Sequence, residues 1–221
     1  MPLPEFSTPV WVIQISEFLR YSSSMNPPYG KKKAGSIGKP IVGMEVSLID
    51  DSDYPIFRAG EIGEMIVRGG SMTAGYWRDP ELTARNIVEG WFHTGDLAYK
   101  DEEDFYWFVS RKSEIINHRA GLVSPIEVEG VFYQHPTVRE IGVIGVPDGC
   151  GGELVQAHVV LKESASVRQQ QLLDFARMRL AEYKVPHHII FTENLPYGPT
   201  GKIDRKTLRE NALSQIKSES D

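Results

Sequence analysis

A single cysteine, Cys150, excludes an internal disulfide in this 221-residue chain and suits a reducing compartment. No apolar run approaches the ~20 residues that a membrane-spanning helix needs. Positive charge is not in excess: 24 Lys and Arg against 30 Asp and Glu leave a net charge of −6. That balance argues against broad binding to nucleic acid or anionic membranes, both of which need a cationic surface. The first residues carry the apolar run Val10-Trp11-Val12-Ile13 with no basic segment ahead of it, and Pro2, Pro4 and Glu5 make a poor secretory signal. The closing Ser218-Glu219-Ser220-Asp221 is no peroxisomal Ser-Lys-Leu address. A cytoplasmic protein is the expectation. His93, His118, His135, His158, His187 and His188 show no ligand spacing with cysteine or carboxylates, so no metal site is expected.

What is present is enough chain for one large or two small domains, each with its own core. From Lys39 to Phe108 the pattern is short strands between turns: Met44 to Asp50 alternates apolar and polar residues, and Gly63 to Gly69 follows a turn at Gly60. Asp101-Glu102-Glu103-Asp104 sits between two strand-like runs and reads as a hairpin tip, with cation binding as the other reading. One helix interrupts the strands, with Asp79 as cap and Pro80 in its first turn. After Arg111 the period changes. Ser124-Pro125-Ile126-Glu127 forms a capping box, and Pro136 closes the helix it opens. Ile141 to Val146, Leu154 to Leu161 and Ile189 to Phe191 read as strands; 167–183 reads as an amphipathic helix, and Asp204 caps a last one. The fold class is therefore α+β: a β-rich half-barrel subdomain over 25–110, then a small α+β domain over 111–210. Residues 1–24 are unassigned and 211–221 form a polar tail.

Three motifs carry chemistry. The first is Leu195-Pro196-Tyr197-Gly198-Pro199-Thr200-Gly201-Lys202-Ile203-Asp204-Arg205. Alone, its Gly-Lys pair fits a solvated turn as well as an ammonium carried into a cleft. Upstream lie Gly90-Trp91-Phe92-His93-Thr94-Gly95-Asp96 and Ser110-Arg111-Lys112-Ser113-Glu114-Ile115-Ile116-Asn117. In this order the three resemble the C-terminal signature of the acyl-adenylate-forming (AMP-binding) enzymes, and among these the acyl-CoA ligases most. The resemblance runs from about Met25 to Arg209.

That resemblance implies ATP-dependent activation of a carboxylic acid through an acyl-adenylate, then thioester formation on coenzyme A or a carrier thiol. It implies that Asp96 and Arg111 hold the ribose of ATP or AMP, since one carboxylate accepts hydrogen bonds from two vicinal hydroxyls. It implies that Lys202 bridges the acid and the α-phosphate, stabilising negative charge as adenylation proceeds. Ala120 and Gly121 match the loop used in the thioester step, with Ala120 where relatives usually place glycine. Ser113 stands where relatives commonly carry Lys or Asp. Mg²⁺ would accompany ATP, but no ligand for it is identified in this chain. The family's Gly/Ser/Thr-rich phosphate loop does not occur, and its Tyr-Gly-x-Thr-Glu adenine motif, due shortly before Met25, is replaced by Phe18-Leu19-Arg20-Tyr21-Ser22-Ser23-Ser24. Tyr29-Gly30 is a false echo, because Lys31-Lys32 follows. The expectation is a truncated ligase, not competent alone. The alternative is a non-catalytic binding or regulatory module that complements a separate N-terminal half or a carrier partner. The acid is not legible, because this family's specificity pockets lie mostly in the N-terminal portion.

Overall fold

The computed structural model describes residues 24–27 and 29–218. The unassigned segment 1–24, with its apolar run, lies outside the described residues except for Ser24, as does the end of the expected polar tail. Strands and helices combine in the α+β class read from the sequence. The chain divides into two compact units between Lys112 and Ser113.

The first unit is strand-rich. Short strands β1 (Ser24–Met25) and β2 (Lys39–Pro40) pair with each other. A curled antiparallel half-barrel sheet follows, made of β3 (Met44–Ile49), β4 (Ile62–Gly69), β5 (Ile87–Val88), β6 (Trp91–Lys100) and β7 (Tyr106–Arg111). β6 is its spine: β4 lies along one edge, while β5 and β7 share the other. Met44, Leu48, Met65, Val67, Phe92, Ala98 and Tyr106 fill the concave core. Before β5, α1 (Pro80–Asn86) starts as its sequence dictates, with the Asp79 carboxylate accepting the Leu82 N–H at 2.9 Å.

The β6–β7 tip settles the role of the acidic run. Asp101 accepts the N–H groups of Glu103 (2.9 Å) and Phe105 (3.0 Å), closing the turn, and also takes Lys33 and the Trp107 indole. Burial alone would raise the Asp101 carboxyl, but these hydrogen bonds together hold it well below the usual carboxylate range.

The second unit stacks helices on both faces of a sheet. β8 (Ile116–His118) and β9 (Gly121–Val123) form a hairpin that leads into α2 (Pro125–Phe132). Ser124 Oγ accepts the Glu127 N–H at 3.3 Å, the cap expected there. α2 ends at Phe132, a turn ahead of Pro136, with the Tyr133 N–H closing on Glu129 O. β10 (Val138–Pro147) and β11 (Glu153–Leu161) are antiparallel; β12 (His188–Phe191) runs parallel to β11. α3 (Gln169–Arg177) stops six residues short of the expected 183. Its last turn tightens, the Arg179 and Leu180 N–H groups both bonding Ala176 O, and a separate 3₁₀ turn forms at Glu182–Lys184. α4 (Arg205–Ser218) runs on through most of the segment read as a polar tail.

Strand periodicity divides the second core. Ile141, Val143, Val155, Ala157 and Val159 face α2 and α3, where Phe132, Leu172 and Ala176 are fully buried. Ile144, Val146 and Val160 face the other way, against Leu195 and the Leu208 and Ala212 side chains of α4.

Candidate functional site

In the first unit the candidate site is built on an irregularity of β6. Glu64 pairs with Leu97 and Ile66 with His93, so Thr94, Gly95 and Asp96 together face the lone Met65. On the opposite edge the register slips again, with Val109 as the extra residue on β7. Bulges of this kind re-aim a side chain out of the pleat. Gly95 takes a φ of 68°, a left-handed conformation that a side chain would strain. Thr94 Oγ1 stitches the bulge, donating to Met65 O (2.6 Å) and accepting the Asp96 N–H (3.0 Å).

Asp96 is thereby held with its carboxylate buried at 5% exposure, against Arg111, whose guanidinium is half exposed. Arg111 Nη1 lies 2.9 Å from Asp96 Oδ1 and donates to Thr94 O at 3.1 Å. The two residues are register partners across β6 and β7, so the strands themselves bring them together. Two of the residues the motifs singled out therefore form one ion pair.

Glu64 was not singled out, yet it organises the same turn. Its side chain accepts the Gly95 N–H at 3.2 Å and pairs with Lys112 Nζ at 3.0 Å. The hydrogen bond to Glu64 holds the Lys112 ammonium above its ordinary value. The Lys112 N–H also bonds Gly95 O at 2.8 Å. The signal was present: a carboxylate inside the near-continuous apolar run Gly63 to Val67 must be buried, and buried charges need partners.

The second unit carries the other candidates. Lys202 sits at the end of a turn closed by Gly198 N–H to Lys202 O (2.9 Å) and Gly201 N–H to Gly198 O (3.0 Å). A bridge between Tyr197 and Ile203 pins the base of that turn. The Lys202 side chain is exposed, and its ammonium has no hydrogen bond or ion pair among the described residues. Asp204 caps the helix that follows, accepting the Thr207 N–H (3.1 Å) and hydroxyl (2.8 Å); these bonds hold its carboxyl below the ordinary value.

Ala120 and Gly121 turn the β8–β9 hairpin. Ala120 is not among the residues with positive φ, whereas Gly121 has a φ of 146°. The backbone freedom of this turn thus resides at Gly121, one residue after Ala120. The Ala120 N–H donates to His118 Nδ1 at 3.1 Å. Beside it lies a groove of ≈ 550 Å³ lined by His118, Arg177, Tyr183 and His187 among others. Burial, then the neighbouring imidazoles, hold His187 below the usual histidine range. No cluster of three His, Cys, Asp or Glu among the described residues is arranged to hold a metal ion.

The AMP-binding enzyme family matches residues 8–77, and the AMP-binding enzyme C-terminal domain matches 127–202. The first match begins at residue 8, inside the segment that the motifs left unassigned. A long-chain-fatty-acid–CoA ligase of Escherichia coli O157:H7 is 41% identical over 193 residues, 87% of this chain and 34% of the ligase. An oxalate–CoA ligase of Saccharomyces cerevisiae is 35% identical over 98% of this chain and 40% of that protein. The chain therefore spans about a third of the length of the curated relatives it matches. Among solved structures, an anthranilate CoA ligase in complex with anthranoyl-AMP aligns with TM-score 0.79 at 34% identity, over 89% of this chain and 37% of that one. The O-succinylbenzoate coenzyme A synthetase of Bacillus subtilis, in complex with AMP, aligns with TM-score 0.80 at 29% identity, over 90% and 40%.

Proposed function

This chain belongs to the AMP-binding enzyme family, and from that premise we propose that it serves as the C-terminal portion of an acyl-CoA ligase. In this reading Asp96 and Arg111 bind the ribose of ATP in the first step and of the acyl-adenylate in the second. The observation that carries it is the ion pair itself: a buried carboxylate, fixed by bulges on both edges of β6, beside a half-exposed guanidinium. A preorganised acceptor of this kind binds two vicinal hydroxyls with little ordering cost at the moment of binding.

Lys202 acts in adenylation alone. An ammonium without a partner among the described residues is available to the carboxylate of the acid and the α-phosphate, and stabilises the charge that develops between them. The Ala120–Gly121 turn acts in the thioester step, with coenzyme A as acceptor. ATP would bring Mg²⁺ with it, and no group of ligands for the ion is found among the described residues. The partner is an N-terminal portion carrying the phosphate loop and the acid pocket, and the compartment is the cytoplasm.

The test is a chimera in which this chain replaces the matching C-terminal third of the E. coli ligase. It should catalyse both fatty-acid-dependent exchange of pyrophosphate into ATP and thioester formation from supplied acyl-adenylate. A folded chimera that binds acyl-adenylate yet performs neither step would overturn the reading. A second reading, a non-catalytic module, is favoured by exposed aromatic side chains in the first unit, Tyr54, Phe57 and Trp77. It requires tight association with a separate protein half and no gain of either half-reaction on mixing.

A further inference from the structure

Among the described residues the Lys202 ammonium has no hydrogen bond or ion pair, so its place follows the backbone of the 198–202 turn. That turn hangs from α4. Asp204 N–H bonds Pro196 O at 2.9 Å, and the next residue, Arg205, is the first of the helix. Arg205 spans two carboxylates: Nη1 reaches Glu114 at 2.9 Å and Nη2 reaches Glu129 at 2.7 Å. Glu129 is itself buried on α2 and accepts the Val143 N–H of β10 at 2.9 Å. Burial pushes its carboxyl above the ordinary value even with the guanidinium beside it.

One helical turn on, Arg209 pairs with Glu153 of β11. The other oxygen of that carboxylate accepts the Asn117 N–H of β8 at 2.8 Å. β8 leads within three residues into the turn at Ala120 and Gly121. Residues four apart on a helix share a face, so the two arginines address the two turns from one element.

We propose that Arg205 and Arg209 are a pair of positioning residues, Arg205 fixing the Lys202 turn and Arg209, through Glu153, fixing the hairpin turn at Ala120–Gly121. The planar fork of arginine is what makes this work: Arg205 bridges two acids that a single ammonium could not hold in the same geometry. The functional meaning rests on the roles assigned above to Lys202 and the hairpin turn, but the mechanical claim does not.

The experiment is amide hydrogen exchange on the full 221-residue chain, comparing wild type with Arg205→Lys and Arg209→Lys. Arg205→Lys should speed exchange at Gly198, Gly201 and Asp204 by about tenfold, leaving Asn117 and Ala120 within about twofold of wild type. Arg209→Lys should do the reverse. Both variants should leave the amides of β11 as protected as before. Equal acceleration of both sets by either variant, or no acceleration at all, would overturn the proposal. Should either variant fail to fold, Glu114→Gln and Glu153→Gln weaken one arm each. Their smaller effects must stay confined to the first and second set of amides respectively, and spread across both would overturn it too. Exchange is measured without substrate. A chimera that loses the assigned half-reactions while the exchange pattern holds would therefore sink the catalytic reading and leave the positioning intact.

Discussion

The two units present their candidate residues in opposite ways. Asp96 lies within a strand, buried, ion-paired and flanked by bulges on both edges. Lys202 lies on an exposed turn with no side-chain partner among the described residues. In the proposed reading Asp96 would bind the same ribose in both steps and gains from being fixed. Lys202 would act in only one and gains from being presented on an element whose position is set elsewhere. The contrast predicts that substitutions at the two sites differ in kind as well as in size.

Lys202→Ala should have the largest effect on catalysis and the least on the fold. In the chimera it should lower acid-dependent pyrophosphate exchange by about 10²–10³-fold, the cost of losing a preorganised charge donor. Thermal unfolding of the chain should barely move, because the ammonium has no hydrogen bond or ion pair to lose among the described residues. Asp96→Ala comes next. It should weaken AMP binding by roughly 10–100-fold, as expected on removing a charged hydrogen-bonding group, and slow both half-reactions; titration of AMP into the chimera checks it. Glu64→Gln should cost less, about 0.5–1.5 kcal/mol of nucleotide binding, through looser hold on the Gly95 N–H and Lys112. An unchanged AMP affinity in Glu64→Gln would remove it from the site.

Acid should also separate the units. Burial holds His158 of β11 below the usual histidine range. Its contribution to stability is complete above the unfolded value of about 6.5 and is lost as pH falls toward the lower folded value. Asp101, also depressed in the fold, contributes above an unfolded value of about 3.9 and loses that contribution only below it. The second unit should therefore begin to lose amide protection at higher pH than the first, and His158→Gln should narrow the gap. The smallest effect is expected at Ala120. Because the turn takes its freedom at Gly121, Ala120→Gly should change thioester formation by less than about threefold, whereas Gly121→Ala should slow it.

Where a residue's role depends on local chemistry, the sequence was readable. Asp79, Ser124 and Asp204 cap their helices as their spacing demands, and the acidic run 101–104 closes a hairpin. Asp96 and Arg111 were visible as motif residues, but their pairing depends on strand register, which no short motif states. The partners of Glu64, and the Arg205–Glu129 and Arg209–Glu153 pairs, lie 31 to 76 positions apart, so only the folded sheet and helices reveal who pairs with whom. α3 ended early because its last turn tightened on Ala176 O, a choice that apolar periodicity does not record. α4 runs on through the segment expected to be a polar tail because Ala212, one turn after Leu208, packs with it against the sheet and carries the helix onward.

The most direct test of this division of labour is to measure both half-reactions in the same chimera carrying Lys202→Ala or Asp96→Ala. The account predicts that Lys202→Ala lowers pyrophosphate exchange by about 10²–10³-fold while sparing thioester formation from supplied acyl-adenylate, and that Asp96→Ala impairs both. Equal loss of the two steps in Lys202→Ala, or unimpaired nucleotide binding in Asp96→Ala, would contradict it.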